Sequence, residues 1–375
     1  MRGSRPATAI LTHTHYTPPL KPPPPDPDPD DLCRALRRAL RAARHPGADA
    51  PLQPLPDTGL AHRHVRLAGT GLLARLPLNS QLDLPAADNL RHQAACFDRA
   101  APSGHTPRLH AVLPPSDPLP RGGLLVDEIV GRPVRLPGDL DAIAQALAAL
   151  HRLPRPPQPA PLAAPADPLA DLAADIDRQA AHLDAAGLDP AARRGIDALN
   201  AAWRRRLAAA ARPPVALIAF DAHPGNYVIR PDGSAVLVDL EKCRYGPPGL
   251  DLAHATLLTS TTWDITSRAT LDAPAVAAFY AAWVRHAGVS LAAAARPWHA
   301  DLRRAMALWS LTWCAKWRAL SPRPPRADGE NWSAADRPDA LVAHVRERVD
   351  HYLSPAVVAA IATEIDALEA QAWTA

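Results

Sequence analysis

One stretch of the chain narrows its possible folds more than any other. Residues 215–254 read VALIAFDAHPGNYVIRPDGSAVLVDLEKCRYGPPGLDLAH. VALIAF is a short apolar run of the length that suits a buried strand. YVIR and AVLVDL flank PDGS, whose Asp-Gly pair fits a tight reverse turn. The segment therefore predicts a strand, a polar loop and a hairpin. Asp221 and Asn226 stand five positions apart in the loop, and Asp239 follows at the end of the hairpin. An ordinary β-hairpin with polar turns accounts for any one of these groups, but less well for all three together.

The three groups have the chemistry that phosphoryl transfer needs. Magnesium takes oxygen ligands, usually one or two carboxylates with phosphate oxygens. Asn226 and Asp239 can supply such oxygens, and Asp221 can accept the proton of an attacking hydroxyl. Their spacing is that of a kinase catalytic loop with its following metal-binding aspartate. Here the sequence resembles the aminoglycoside phosphotransferase and choline kinase-like family, a branch of the protein-kinase-like fold. Members show HGDxHPGN and a strand ending in IDWE or IDFE; this chain has AFDAHPGN and VDLE. The resemblance implies Asp221 as catalytic base, Asn226 and Asp239 as magnesium ligands, and ATP as donor. Ala219 and Phe220 replace the family's His-Gly. The family's loop-bracing His is thereby lost, leaving His223 as a candidate brace.

The resemblance extends over about residues 52–350 and implies a bilobal α+β architecture. A disordered Pro-rich tail is expected over 1–30, a small β-rich N-lobe over 31–128, and a larger helical C-lobe over 129–375. The tail reading rests on composition, since PPLKPPPPDPDPD favours an extended chain. Asp31 to Arg44 predicts a helix with Leu32, Leu36 and Leu40 inward and a solvated arginine face. HVRLAGTGLLARLP, residues 64–77, predicts two strands around Gly69-Thr70-Gly71. The family's phosphate-covering turn would fall on Thr58 and Gly59. A family cation on the second strand holds the nucleotide phosphates. The chain's only lysines are Lys21, Lys242 and Lys316, so Arg75 takes that part. Its helix partner, a Glu in the family, falls near Gln93, with Asp98 as the alternative. Leu124 to Pro133 predicts a buried strand followed by a glycine, and the resemblance implies a hinge at Glu128, Ile129 and Val130 whose backbone meets adenine; the alternative is an edge strand entering a turn.

Farther on, Asp139 to His151 predicts an amphipathic helix, with His151 structural at its end. Asp167-Pro168 and Asp189-Pro190 each start a helix as N-cap and first residue. Arg204, Arg205 and Arg206 are expected on a solvated face, and Asp251 as an N-cap that also steadies the catalytic loop. Met306, Trp309, Trp313 and Trp317 form a helical stripe expected mainly in the core, the other reading being a wall of the acceptor pocket. Asn331-Trp332 would cap that pocket.

Composition limits the function classes. A net charge of +3 gives no argument for nucleic acid or an anionic membrane. No run of about 18 apolar residues is present, and no leader is evident at the start. Four cysteines far apart suggest neither zinc nor a disulfide framework, which favours a reducing cytoplasm. The sequence thus points to an ATP- and magnesium-dependent kinase acting on a small-molecule hydroxyl; the alternative is a nucleotide-binding pseudokinase working through a partner. The acceptor and the oligomeric state are not legible. From Asp251 onward there are 13 Asp and Glu against 12 Arg and Lys, which gives a polycationic acceptor no support.

Overall fold

A computed structural model of the chain describes residues 29–56, 61–324, 332–334 and 339–370. Thr58, Gly59, Asn331 and most of the expected N-terminal tail lie outside the described residues.

Helix α1 (Pro29–Ala42) precedes strands β1 (Leu52–Pro54), β2 (His62–Leu67) and β3 (Leu72–Pro77). Helix α2 (Ala86–Ala100) follows, then β4 (Leu109–Leu113) and β5 (Gly123–Asp127). The five strands form one antiparallel sheet in the order β1-β2-β3-β5-β4. Strand alternation sends Leu125 to one face, where it packs with Leu36 and Leu40 of α1. Leu124 and Val126 face the other way, into the core that holds Leu90 and Phe97 of α2. The arginine face of α1 is not wholly solvated: Arg37 donates to the Ala48 and Ala50 carbonyls at 2.8 and 3.1 Å. The turn between β2 and β3 uses positive φ at Gly69 and Gly71, as a tight turn of this kind requires.

Strand β5 stops at Asp127, four residues before the glycine that follows it in sequence. Its continuation is an open segment leading to β6 (Arg132–Pro133). Gly131 is needed there, since a Cβ would lie 2.4 Å from the Ile229 carbonyl oxygen. Helices α3 (Leu140–His151), α4 (Pro168–Ala180) and α5 (Pro190–Leu207) come next. Asp167 and Asp189 cap α4 and α5, each accepting from backbone N–H groups just inside the helix.

The organising stretch folds into β7 (Ala216–Ile218), β8 (Tyr227–Ile229), β9 (Ala235–Leu237) and β10 (Arg244–Gly246). β8 pairs with β6 and β9, while β7 pairs with β10. Asp239 lies just beyond β9 rather than within it. The remainder is helical: α6 (Gly249–Thr256), α7 (Leu258–Thr261), α8 (Ala273–Ala287), α9 (Val289–Ala295), α10 (His299–Leu320), α11 (Asp339–Tyr352) and α12 (Pro355–Ala370). Two apolar clusters support the loops of this region. One is centred on α3 and α8, the other on α4, α5, α10 and α12. Of the three arginines near the end of α5, Arg205 is exposed and Arg204 makes an exposed pair with Asp177, as a solvated face would have it; Arg206 departs, pairing with Asp301 while its guanidinium sits 3.7 Å over Trp298.

Candidate active site

β7 is buried throughout, and the chain must leave it sharply to bring Asp221 to the surface of the cleft. The turn falls on Phe220, which has φ +58°. A bulky residue in this left-handed region costs on the order of 1–3 kcal/mol, which surrounding contacts must offset. Asp251 supplies them. Fully buried within α6, it accepts from the Ala219 N–H at 2.7 Å and the Phe220 N–H at 2.8 Å. His151 Nε2 donates to the same carboxylate at 3.1 Å, and His151 Nδ1 accepts from the Trp283 indole at 3.1 Å. That pattern makes His151 a neutral ring with one proton, not a cation at a helix end. Asp251 is therefore the loop brace and not an N-cap. His223 does not brace the loop; its ring sits edge-on to His254 at 6.1 Å.

Asp221 meets Lys242 at 2.7 Å, and His254 Nδ1 lies 3.8 Å from its other oxygen. Burial alone would raise this carboxyl, but Lys242, His223 and His254 together hold it well below the usual carboxylate range. Burial pushes His254 down to about 4, so that ring is neutral near pH 7. The Asn226 side-chain amide donates to the Asp221 carbonyl at 2.8 Å. The Asn226 carbonyl in turn accepts from Val238 N–H at 2.9 Å, which ties the loop to the segment carrying Asp239.

Arg75 reaches across from β3 to this segment. Its guanidinium donates to Asp239 Oδ1 at 2.8 Å and to the Val238 carbonyl at 3.1 Å. Gln93 is not its partner, and Asp98 is exposed on α2. Gln93 pairs instead with His62 Nε2 at 3.0 Å. Arg75 thus uses the site's own aspartate in place of a helix carboxylate. Beside it lies Glu241, which accepts from Gln81. Burial, then the charge of Asp239, pushes the Glu241 carboxyl up to about 8.

Two donor sets fit a cation to different degrees. His62, Asp239 and Glu241 bring one ligand atom each within 4.8 Å of one another. Glu241 keeps its proton near neutral pH and His62 is already bonded to Gln93, so that set is poorly prepared. Asn226 and Asp239 offer oxygen donors of the kind magnesium takes. The second Asp239 oxygen makes no hydrogen bond among the described residues. The Asn226–Asp239 set is the better fit.

The hinge residues behave unequally. Glu128 N–H already donates to the Gly71 carbonyl at 2.8 Å, so it is not an open donor for a base. Its carboxylate pairs with Arg66 at 2.5 Å. Ile129 is half-buried, and Val130 is exposed at 71%. Lys242, His254, Glu241 and His62 were not singled out from the sequence. Lysine scarcity drew attention to Arg75, and the same signal applied to Lys242, three residues beyond Asp239.

A cavity of about 590 Å³ opens beside Lys242 and Phe220. Trp309, Trp313, Trp317 and Trp332 line it, so the tryptophan stripe of α10 is a pocket wall as well as core; only Met306 is wholly interior. All four cysteines are free thiols.

Residues 80–302 match the model of the phosphotransferase enzyme family. The chain belongs to that family. A choline/ethanolamine kinase family protein from Mesorhizobium loti shares its fold, with a TM-score of 0.55 at 17% identity over 88% of this chain and 99% of that one. Choline kinase LicA from Streptococcus pneumoniae superposes with a TM-score of 0.52 at 11% identity, covering 84% of this chain and 97% of its own. The ADP-bound aminoglycoside phosphotransferase APH(2'')-Ib gives 0.51 at 11% identity, over 87% and 98%. No curated protein matches the sequence at a significant level. The fold is therefore kinase-like, with a β-sheet N-terminal region and a helical C-terminal region. Among the described residues no helix is long and apolar enough to cross a membrane.

Arg75→Ala should weaken nucleotide binding far more than Arg66→Ala. Arg75 is buried at the cleft against Asp239, whereas Arg66 is half-exposed and pairs with Glu128. A charge-assisted contact is worth about 1.5–3 kcal/mol, or roughly ten- to a hundredfold in affinity. Titration calorimetry on both variants checks this. Equal losses would take Arg75 out of the nucleotide site.

Proposed function

We propose that the protein transfers the γ-phosphoryl group of ATP, with magnesium, to a hydroxyl of a small molecule. The observation that carries this reading is the convergence of Asp221, Asn226, Asp239 and Arg75. They come from three separate stretches and are joined by direct hydrogen bonds at 2.8 Å and by the Val238–Asn226 backbone bond. Magnesium, when bound, offsets phosphate charge, and Asn226 and Asp239 are the residues that would hold it. Arg75 faces the same phosphates from the sheet side. Asp221 orients the acceptor hydroxyl and receives its proton as the oxygen bonds to phosphorus and the bond from that phosphorus to the ADP oxygen breaks. Because its pKa is low, Asp221 is a weak base. That suits a loose transition state in which the proton leaves late and positioning matters most. Lys242 holds the Asp221 carboxylate in one orientation.

Gln93 in place of the usual helix Glu favours a second reading, a nucleotide-binding protein without turnover. Arg75 has found another carboxylate, which removes much of that argument.

Asp239→Ala should abolish the magnesium dependence of ATP binding while the protein still melts cooperatively. The lost carboxylate leaves both the cation and Arg75 without their partner. Calorimetry with and without magnesium is the measurement. An unchanged magnesium-dependent affinity would remove Asp239 from the metal site.

A further inference from the structure

The cavity beside the loop has a definite chemistry. It rests on the phosphotransferase reading only in that its inner end is the acceptor end. Phe220 and Lys242 both line it, the first adjacent in sequence to Asp221 and the second paired with it. One wall is aromatic. Trp309, which meets Phe220 edge to face at 5.3 Å, is followed one turn along α10 by Trp313. Such a wall suits a planar apolar group.

Charges around the cavity do not suit a cation. Asp175, the half-buried carboxylate of the lining, is paired with Arg178 and has Arg244 at 3.7 Å. Asp83 and Asp171 are exposed. Two of the aromatic rings of the lining are already covered by the protein's own cations. Arg244 sits over Phe220 at 3.8 Å, and Lys316 over Trp332 at 4.3 Å. An ammonium group would meet Arg178, Lys242, Arg244 and Lys316 in the same lining.

Arg244 has donor capacity left. Its side chain is 17% exposed and its Nε donates to the Lys242 carbonyl at 3.3 Å; Nη1 stands 3.7 Å from Asp175, an ion pair beyond hydrogen-bond distance, and neither terminal nitrogen makes a hydrogen bond among the described residues. A guanidinium has a planar fork of donors that matches a carboxylate in two parallel bonds. With its central carbon 3.8 Å over the Phe220 ring and its Nε bonded to the Lys242 carbonyl, that fork is restrained before any ligand arrives.

We propose that the acceptor is a flat, largely apolar alcohol bearing a carboxylate. Its ring lies against Trp309 and Trp313, its carboxylate on Arg244, and its hydroxyl at Asp221.

Three matched probes test this: para-(hydroxymethyl)benzoate, para-(hydroxymethyl)benzylamine and benzyl alcohol. They share the ring and the hydroxyl and differ in charge. Calorimetry on the wild-type protein should give the carboxylate about ten- to a hundredfold tighter binding than the amine. Arg244→Gln should remove most of that preference while benzyl alcohol still binds, which reports a formed pocket. Arg244→Lys should keep part of it, since charge remains without the fork. The proposal is overturned if the amine binds as tightly as the carboxylate, if none of the three binds, or if the preference survives in Arg244→Gln. Separate titration with Mg–ATP keeps the two readings apart. Nucleotide binding with no carboxylate preference sinks the pocket assignment alone. Carboxylate preference without nucleotide binding supports the pocket and sinks the phosphotransferase reading.

Discussion

Asp221→Asn should bind Mg–ATP nearly as well as wild type and lose about 10²–10⁴-fold in turnover, the usual contribution of a positioned base. The substitution keeps the shape of the side chain and one acceptor oxygen, but removes the negative charge. Lys242 loses its ion pair at 2.7 Å, and the amide can no longer take a proton. The backbone contacts of the loop run through the Asp221 carbonyl and the Ala219 and Phe220 amides, which the change leaves intact. The loss should therefore fall on kcat and not on nucleotide affinity. The low pKa adds a pH expectation. A carboxylate depressed by neighbouring positive charge stays ionised down through the mildly acid range, so no acid limb from this group should be seen near neutrality. Single-turnover phosphate transfer with an acceptor identified by screening is the measurement. Equal rates in the variant and the wild type would end the catalytic assignment. A wild type that binds nucleotide and transfers to nothing would favour the reading without turnover.

The sequence revealed the kinase-like architecture because one local segment carries several coupled signals. A strand, a loop with Asp221 and Asn226, and a hairpin followed by Asp239 are all short-range features, readable by periodicity and turn chemistry. The partners of those residues are not short-range. Asp251 is 32 positions from Ala219, and Arg75 is 164 from Asp239. No periodicity predicts which carboxylate a buried arginine will choose; the sequence resemblance places Gln93 opposite Arg75, whereas His62 holds it. Tryptophans at four-residue spacing look the same in sequence whether they face a core or a cavity. Only the packing of α10 against α4 and α6 shows that Trp309 and Trp313 border open space. Position 220 was legible as a departure but not as a strain. The family's Gly at this place suits a positive φ, and Phe220 keeps that φ without being Gly.

That strain makes Asp251 the most consequential residue outside the phosphate-binding set. Asp251→Ala should destabilise the protein by about 3–5 kcal/mol, as expected when one partner of a fully buried, hydrogen-bonded charged group is removed. The Ala219 and Phe220 N–H groups and His151 Nε2 would all lose their acceptor in a site without water access. A buried donor left unpaired costs about 1–3 kcal/mol, so two or three such losses reach the same range. The second consequence is geometric. With nothing to fix its amide, Phe220 can relax from φ +58° toward the ordinary regions, and Asp221 turns with it. Turnover should then fall by more than the lost fraction of folded protein explains. Phe220→Gly separates the two effects. Glycine takes the positive φ without strain, so the double variant Phe220→Gly/Asp251→Ala should recover part of the turnover that Asp251→Ala loses if relaxation of the strained turn is what moves Asp221. Thermal melts and kcat measured on the folded fraction read both quantities. An Asp251→Ala protein with wild-type melting and wild-type kcat would mean that the ring contacts of Phe220 with Trp309 and Arg244 are enough to hold the turn.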